Sequence, residues 1–321
     1  MTLGWSVLDI DASAETERIS AKMRDCAAGL LRRRGAVVAI SGGVDSGVCA
    51  ALAVRAFGPE RVLTLILPER ESANESMMRA RSLAAHLALE PLEQNIGPTL
   101  EAIGCYRWRD EAVRRVIPEY DSGWRMKIVV AGGIQGRFNH FRLVARSPNG
   151  ASYEARLGLR DYLQIVAATS YKQRIRKTIE YFHADRLNYA VIGTPNRLEY
   201  DQGFFVKNGD GSADIKPIAH LYKTQVYALA KYLGLPAEVA TAAPTTDTYS
   251  LPQGQDEFYF ALPYRQMDLA LWALNHDLAP EVAAEPLGIP VDIVRHVYAD
   301  INAKRRATQY LHRQAMLLGS V

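Results

Sequence analysis

The sequence predicts an α/β fold, a doubly wound parallel sheet with flanking helices and one inserted segment. Three features predict it. Residues 36–40, 62–67 and 189–192 are short, mostly apolar runs, the composition of strands covered on both faces. Helical periodicity fills the stretches between the runs, and alternation of strand and helix builds parallel sheets through crossover helices. A glycine-rich turn leaves the first run at the end of the strand, where open α/β sheets bind ligands.

In order along the chain, residues 13–34 read as an amphipathic helix, with Ile19, Met23, Cys26, Ala27 and Leu30 at helical spacing and Gly35 as its stop. The first strand (36–40) and its turn lead into a helix over 47–57, closed by Gly58 and Pro59. A second strand over 62–67 ends at Pro68, and a helix follows over 74–89. Residues 97–165 break the rhythm. Residues 141–145 and 153–157 flank Pro148-Asn149-Gly150, a hairpin signal, so this stretch is expected to be an insertion on the core. Its Tyr106, Trp108 and Trp124 are expected to pack, while Arg107, Arg109, Arg137, Arg142 and Arg146 are expected to meet an anionic ligand, since guanidinium forks suit carboxylate and phosphate.

The pattern resumes with a helix over 166–183, on which Lys172 and Arg176 share one face and Arg174 and Lys177 another. A third strand over 189–192 precedes Gly193-Thr194 and a polar loop over 196–211. A helix over 221–233 stops at Gly234, and a basic helical tail occupies the C-terminal segment, 291–321. The whole chain, 1–321, is expected to form one domain, with 97–165 inserted within it.

Composition narrows the function classes. Of 321 residues 48% are hydrophobic and 23% charged, ordinary values for a globular protein. The 38 basic and 35 acidic residues are too balanced for a nucleic-acid partner. Cys26, Cys49 and Cys105 are too far apart for a zinc site or a disulfide framework. There is no apolar run of about 18 residues and no leader pattern at the start, so no membrane contact and a cytoplasmic location are expected.

The strongest chemical signal is Ser41-Gly42-Gly43-Val44-Asp45-Ser46. Its glycines allow a tight turn and close approach to an anion, and the N–H groups of the turn and the following helix start point at that anion. Ser41 and Ser46 add hydroxyls. Asp45 would repel phosphate unless it holds a cation, which assigns it to Mg²⁺. No lysine follows the glycines, so the segment is neither the GxxxxGK[ST] loop nor the GxGxxG fingerprint.

Ser-Gly-Gly-x-Asp-Ser resembles the pyrophosphate loop of the ATP pyrophosphatases, which split ATP into AMP and pyrophosphate. A second block, Gly193-Thr194-Pro195-Asn196-Arg197-Leu198-Glu199, continues through residues 203–218 and into Leu221-Tyr222-Lys223-Thr224-Gln225-Val226. These blocks resemble the ammonia-dependent NAD synthetase family, over about residues 15–95 and 165–310. The resemblance implies a Rossmann-like sheet of the ATP-pyrophosphatase type and an ATP-consuming enzyme that adenylates a carboxylate and releases AMP with ammonia. It implies that residues 41–46, Thr194, Lys223 and Thr245 bind ATP, and that Asp45 and Glu199 hold Mg²⁺. Arg174, Lys207, Asp214 and Lys304 would line the site of the acid, nicotinic acid adenine dinucleotide. Asp45, Lys223 and Lys304 would serve the reaction, and the resemblance also implies a homodimer.

Three features depart from the family pattern: Ala303 precedes Lys304 in place of histidine, the loop after the second strand reads Leu67-Pro68-Glu69-Arg70-Glu71-Ser72, and residues 97–165 are longer. They leave open an amide synthetase acting on a different carboxylic acid. A tRNA-modifying adenylating enzyme is disfavoured by the missing CxxC pair and balanced charge, and a non-catalytic nucleotide-binding module by the presence of both carboxylates. The segment before residue 36 is too short for a glutaminase, so the expected nitrogen source is free ammonia or ammonia from a separate glutaminase.

Overall fold

The computed structural model describes residues 3–131, 140–244, 249–254, 259–260 and 262–319. Four parallel strands form the central sheet in the order β3-β2-β1-β7: β1 (Ala36–Ala39), β2 (Val62–Ile66), β3 (Leu92–Glu93) and β7 (Ala190–Val191). In register, Ala36 lies opposite Val62 on one side and Ala190 on the other. The chain steps outward from β1 to β2 to β3, then returns to pair β7 with the opposite edge of β1. That reversal opens a crevice at the carboxyl end of β1, where an open α/β sheet holds its ligand.

Alternation along β1 explains the helices on both faces. Ala36 and Val38 face a core shared with α1 (Ala12–Asp25), α2 (Val44–Phe57), α3 (Asn74–His86) and α8 (Lys223–Tyr232). Val37 faces the other side, with Leu65, Leu100 of α4 (Gly97–Ala102) and Ala184 of α6 (Leu159–Leu187). The doubly wound sheet is therefore present. Ile192 adds a parallel bridge to Ile215 at the β7 edge.

Several expected elements change at their ends. α2 begins at Val44, directly after the loop, because Gly43 is already its extended N-cap. α1 ends at Asp25, and a wider turn carries the chain to Leu30 through the bond from Leu31 N to Cys26 O. α6 starts after Gly158 and runs 29 residues, longer than 166–183. The tail helix, α12 (Val291–His312), is shorter than the expected 291–321.

The insertion is more than a hairpin. β5 (His140–Arg146) and β6 (Ser152–Arg156) do pair antiparallel around the expected turn, but β4 (Arg125–Ala131) adds a third strand. Before it, α5 (Cys105–Val116) buries Cys105, Tyr106, Arg109, Ala112 and Val113, helical spacing with an arginine at a core position. After the short α9 (Ala237–Ala240), two helices without a counterpart in the sequence expectation, α10 (Tyr264–Asn275) and α11 (Pro280–Leu287), pack with α12, Leu3, Leu8 and Leu198 in a separate apolar cluster. No helix among the described residues is long and apolar enough to cross a membrane. Cys26, Cys49 and Cys105 are free thiols.

Candidate active site

The loop at 41–46 is braced from within. Ser46 Oγ donates to Gly43 O (3.0 Å) and accepts from Ser41 N (3.2 Å), while Gly43 N donates to Ser41 Oγ (3.3 Å). Gly42 has φ +82°, and a Cβ there would stand 2.3 Å from Ser76 O, so only glycine fits against α3. The loop thus presents backbone at the start of α2, a 14-residue helix whose N-terminal dipole favours an anion.

Asp45 sits in the first turn of α2 and joins two other chain segments. Lys223, at the start of α8, donates Nζ to Asp45 Oδ2. Asn196 Nδ2 donates to Asp45 Oδ1 (3.1 Å). Asn196 also caps α7 (Arg197–Gln202): its Oδ1 accepts from Glu199 N (3.3 Å), and Glu199 Oε2 accepts from Asn196 N (3.1 Å). One buried asparagine therefore locks the two candidate metal carboxylates in place. Burial opposes the charge on Lys223, whose side chain is 2% exposed, but Asp45 and Glu199 overcome it and hold the ammonium well above the usual lysine range. Behind them, burial and the same two carboxylates push the Cys49 thiol well up, which leaves it inert. Asp268 anchors the α8 start by accepting from Lys223 N (3.1 Å) and Thr224 N (2.7 Å).

Asp45, Glu199 and Lys223 line a cleft of about 710 Å³. One wall is the loop, with Ile66, Leu67, Pro68, Met77 and Arg79. α6 supplies Gln173, Arg176, Lys177 and Glu180, and α12 supplies Asp300 and Lys304. Lys304 Nζ donates to Asp300 Oδ2 (2.6 Å) and to Tyr259 O; burial lowers its pKa although Asp300 acts the other way. Lys177 Nζ donates to Glu180 Oε2 (2.6 Å), whose carboxyl burial pushes up. Val130 and Phe141 reach the cleft from the insertion, with Phe141 stacked on Tyr162 at 4.0 Å between centroids.

The NAD synthase family matches residues 17–137 and 147–310. A curated relative from Mesorhizobium japonicum, named NH(3)-dependent NAD(+) synthetase, is 53% identical over 97% of this chain and 98% of its own length. A relative from Rhizobium meliloti with the same name is also 53% identical, over 98% of this chain and 94% of its own. The chain belongs to the NAD synthase family. Among solved structures, an NMN synthetase from Francisella tularensis shares the fold, with TM-score 0.64 and 22% identity over 96% of this chain and 99% of that one.

Measured against the family's expected site, Ser41, Gly43, Val44, Asp45, Ser46, Thr194, Glu199, Lys223 and Lys304 all line the one cleft, and Gly42 lies within the same loop. Thr245 and Arg137 fall outside the described residues. Arg174, Lys207 and Asp214 do not line the cleft. Arg174 is exposed and donates Nε to Lys207 O (3.3 Å); Lys207 Nζ donates to Tyr310 O (2.8 Å) and Arg313 O (3.0 Å). Exposed Asp214 accepts from Val191 N (2.8 Å) and Tyr181 OH (3.4 Å). All three thus border the outer side of α6.

Among the described residues, the insertion's Arg107, Arg109, Arg142 and Arg146 do not meet the cleft as expected. Arg109 is 3% exposed and bonds Glu71 and Asp110; Arg142 pairs with Glu154 and Arg107 with Glu111. Arg146 is exposed and outside the cleft. Arg109 belongs to a buried network: Lys172 Nζ bonds Glu69 (2.9 Å) and Glu71 (2.6 Å), and Tyr106 OH donates to Glu69 (2.7 Å). The carboxylates of the altered loop after β2 thus fasten the insertion to α6. Site residues that the sequence expectation missed are Asn196, Arg79 and the Lys177–Glu180 pair. Asn196 carried a signal, the N-cap asparagine with glutamate three residues on.

Proposed function

We propose that the protein is an ammonia-dependent NAD synthetase: it adenylates the carboxylate of nicotinic acid adenine dinucleotide with ATP and displaces AMP with ammonia. The observation that carries this reading is the convergence of Asp45, Glu199 and Lys223 on the pyrophosphate loop at the switch point of the sheet. Kinship supports it, through relatives of that name at 53% identity over nearly the full chain.

A carboxylate oxygen of the acid attacks the α-phosphorus of ATP, and the bond to the β-phosphate breaks to release pyrophosphate. Ammonia then attacks the acyl carbon, loses a proton and expels AMP. The first step brings two anions together and the second develops negative charge on the departing AMP, so fixed positive charge is the main demand on the site. The loop N–H groups and the α2 start cradle the pyrophosphate. Lys223 steadies the charge that develops there, with Thr194 lining the same cleft. Lys304 lies across the cleft, where it meets the acyl centre.

Asp45 and Glu199 suit Mg²⁺. Magnesium takes one or two carboxylates and completes its shell with water and phosphate oxygens, and no cluster of three or more metal-ligating side chains occurs among the described residues. The ion would neutralise phosphate charge and orient the triphosphate. Lys223 bonds Asp45 here and covers part of the charge the ion would meet.

Arg174, Lys207 and Asp214 bind the acid in this proposal, and their place on the outer side of α6 calls for a second copy. Leu163, Arg174 and Phe182 fall along one exposed stripe of α6; Leu163 is 54% and Phe182 63% exposed. A homodimer built on this stripe completes the acid site. The deciding assay offers ATP, Mg²⁺, ammonium and nicotinic acid adenine dinucleotide, beside a panel of other acids. NAD, AMP and pyrophosphate are expected in equal amounts. ADP in place of AMP, or a better acid in the panel, overturns the proposal.

A further inference from the structure

We infer that Arg79 is a polyphosphate ligand, a cation held beside the loop to meet the β- and γ-phosphates of ATP. The inference rests on ATP being the nucleotide bound, as proposed above.

Five basic side chains line the cleft among the described residues: Arg79, Arg176, Lys177, Lys223 and Lys304. Three of them carry a carboxylate already, Lys177 with Glu180, Lys223 with Asp45 and Lys304 with Asp300. Arg176 donates to Leu67 O, and its charge acts on Glu180 and Asp210. Arg79 stands apart. No carboxylate among the described residues pairs with it, although it is half-buried and bonds the backbone of the loop.

Its position is also fixed. Nε donates to Gly42 O (3.2 Å) and Nη2 to Ser76 Oγ (3.1 Å). The contact that forces Gly42 to be glycine locks α3, which carries Arg79, against the loop. Those two bonds engage two of the five N–H donors of a guanidinium; the others remain for an anion. A half-buried guanidinium beside an anion-binding turn, without a protein carboxylate, fits phosphate oxygens. The loop after β2 offers no substitute. Its Glu69 and Glu71 turn inward to Lys172, and Arg70 stacks over Tyr106 at 3.7 Å. The pyrophosphate loop itself lacks a lysine, so Arg79 supplies the cation from the neighbouring helix.

The alternative is that Arg79 only braces the Gly42 carbonyl. Calorimetric titration of the full-length protein with ATP and with AMP, in Mg²⁺, separates the two. Arg79→Ala is expected to weaken ATP on the order of 10- to 100-fold, the loss typical of a charge-assisted hydrogen bond. AMP should change less than about threefold, and Arg79→Lys should recover part of the ATP affinity. Equal weakening of ATP and AMP with a lower melting temperature, or no change in either, overturns the inference. If the wild type binds no ATP, the proposed activity falls with it; if only the variants match the wild type, the inference alone fails.

Discussion

Replacing Asp45 by asparagine keeps the shape of the side chain and removes its charge. Two consequences follow from its contacts. The Asp45 carboxylate is the direct counter-charge of Lys223, whose ammonium is almost wholly buried. Removing one partner of a buried pair typically costs about 3–5 kcal/mol. Glu199 still acts on Lys223, so the lower figure, about 3 kcal/mol, is expected. In a chain of this size that lowers the melting temperature by several degrees. Turnover should fall further than stability explains, by about 10²–10³, the usual loss of one stabiliser of developing charge. The assay follows AMP release at saturating ATP, acid, ammonium and Mg²⁺, well below the melting temperature of the variant. A second substitution sharpens the test. Lys223→Met in the Asp45→Asn background removes the stranded charge, so stability should recover while turnover stays low. Near-normal kcat for Asp45→Asn at saturating Mg²⁺ would refute the metal role. A double variant no more stable than the single one would refute the energetic coupling.

Glu71 lies between Lys172 and Arg109; burial opposes its ionisation, yet the two cations overcome it and hold its pKa below the usual range. A depressed carboxylate pKa contributes stability above the unfolded value that is lost as pH falls through the folded one. Urea melts of Glu71→Gln should show a loss of about 3 kcal/mol at pH 7 that shrinks below about pH 4, and a constant deficit would contradict this origin. Light scattering should find a dimer, and Phe182→Glu should yield a monomer with weakened acid binding and intact ATP binding; a fully active wild-type monomer sinks that interface. Phe141→Ala should raise KM for the acid several-fold and leave ATP affinity unchanged, whereas an unchanged KM would mean that the insertion acts only through the fold.

The sheet was legible because its strands are buried on both faces and so become continuous apolar runs, as in Val37 and Val38 of β1. The loop was legible because backbone that must bend at Gly42 and approach an anion leaves its mark on residue types. What escaped is what long-range partners decide. Arg109 has the composition of a surface arginine until Glu71, distant in sequence, comes to meet it in the core. Arg79 falls at an unremarkable place in a helix, and only the packing of α3 on Gly42 turns it toward the cleft. β4 pairs with β5 across residues 132–139, and a strand of mixed composition such as Arg125–Ala131 gives little local signal of its partner.

The cleft is organised around pairs that ligands can exchange. Its three lysines among the described residues rest on the protein's own carboxylates, Lys223 on Asp45, Lys304 on Asp300 and Lys177 on Glu180. A lysine already taken out of water and oriented needs little further desolvation to turn toward phosphate, which is the advantage of a preorganised site over solvent. The two lysines proposed to serve the reaction differ in a useful way. Lys223 is held well above the ordinary lysine pKa by Asp45 and Glu199, so it is a permanent charge, suited to a leaving pyrophosphate. Burial lowers the pKa of Lys304 despite Asp300, so its charge is held less firmly than that of Lys223. In the proposed reaction Lys304 would set a cation against the acyl end of the acid, and Lys223 a firmly held one against the leaving pyrophosphate.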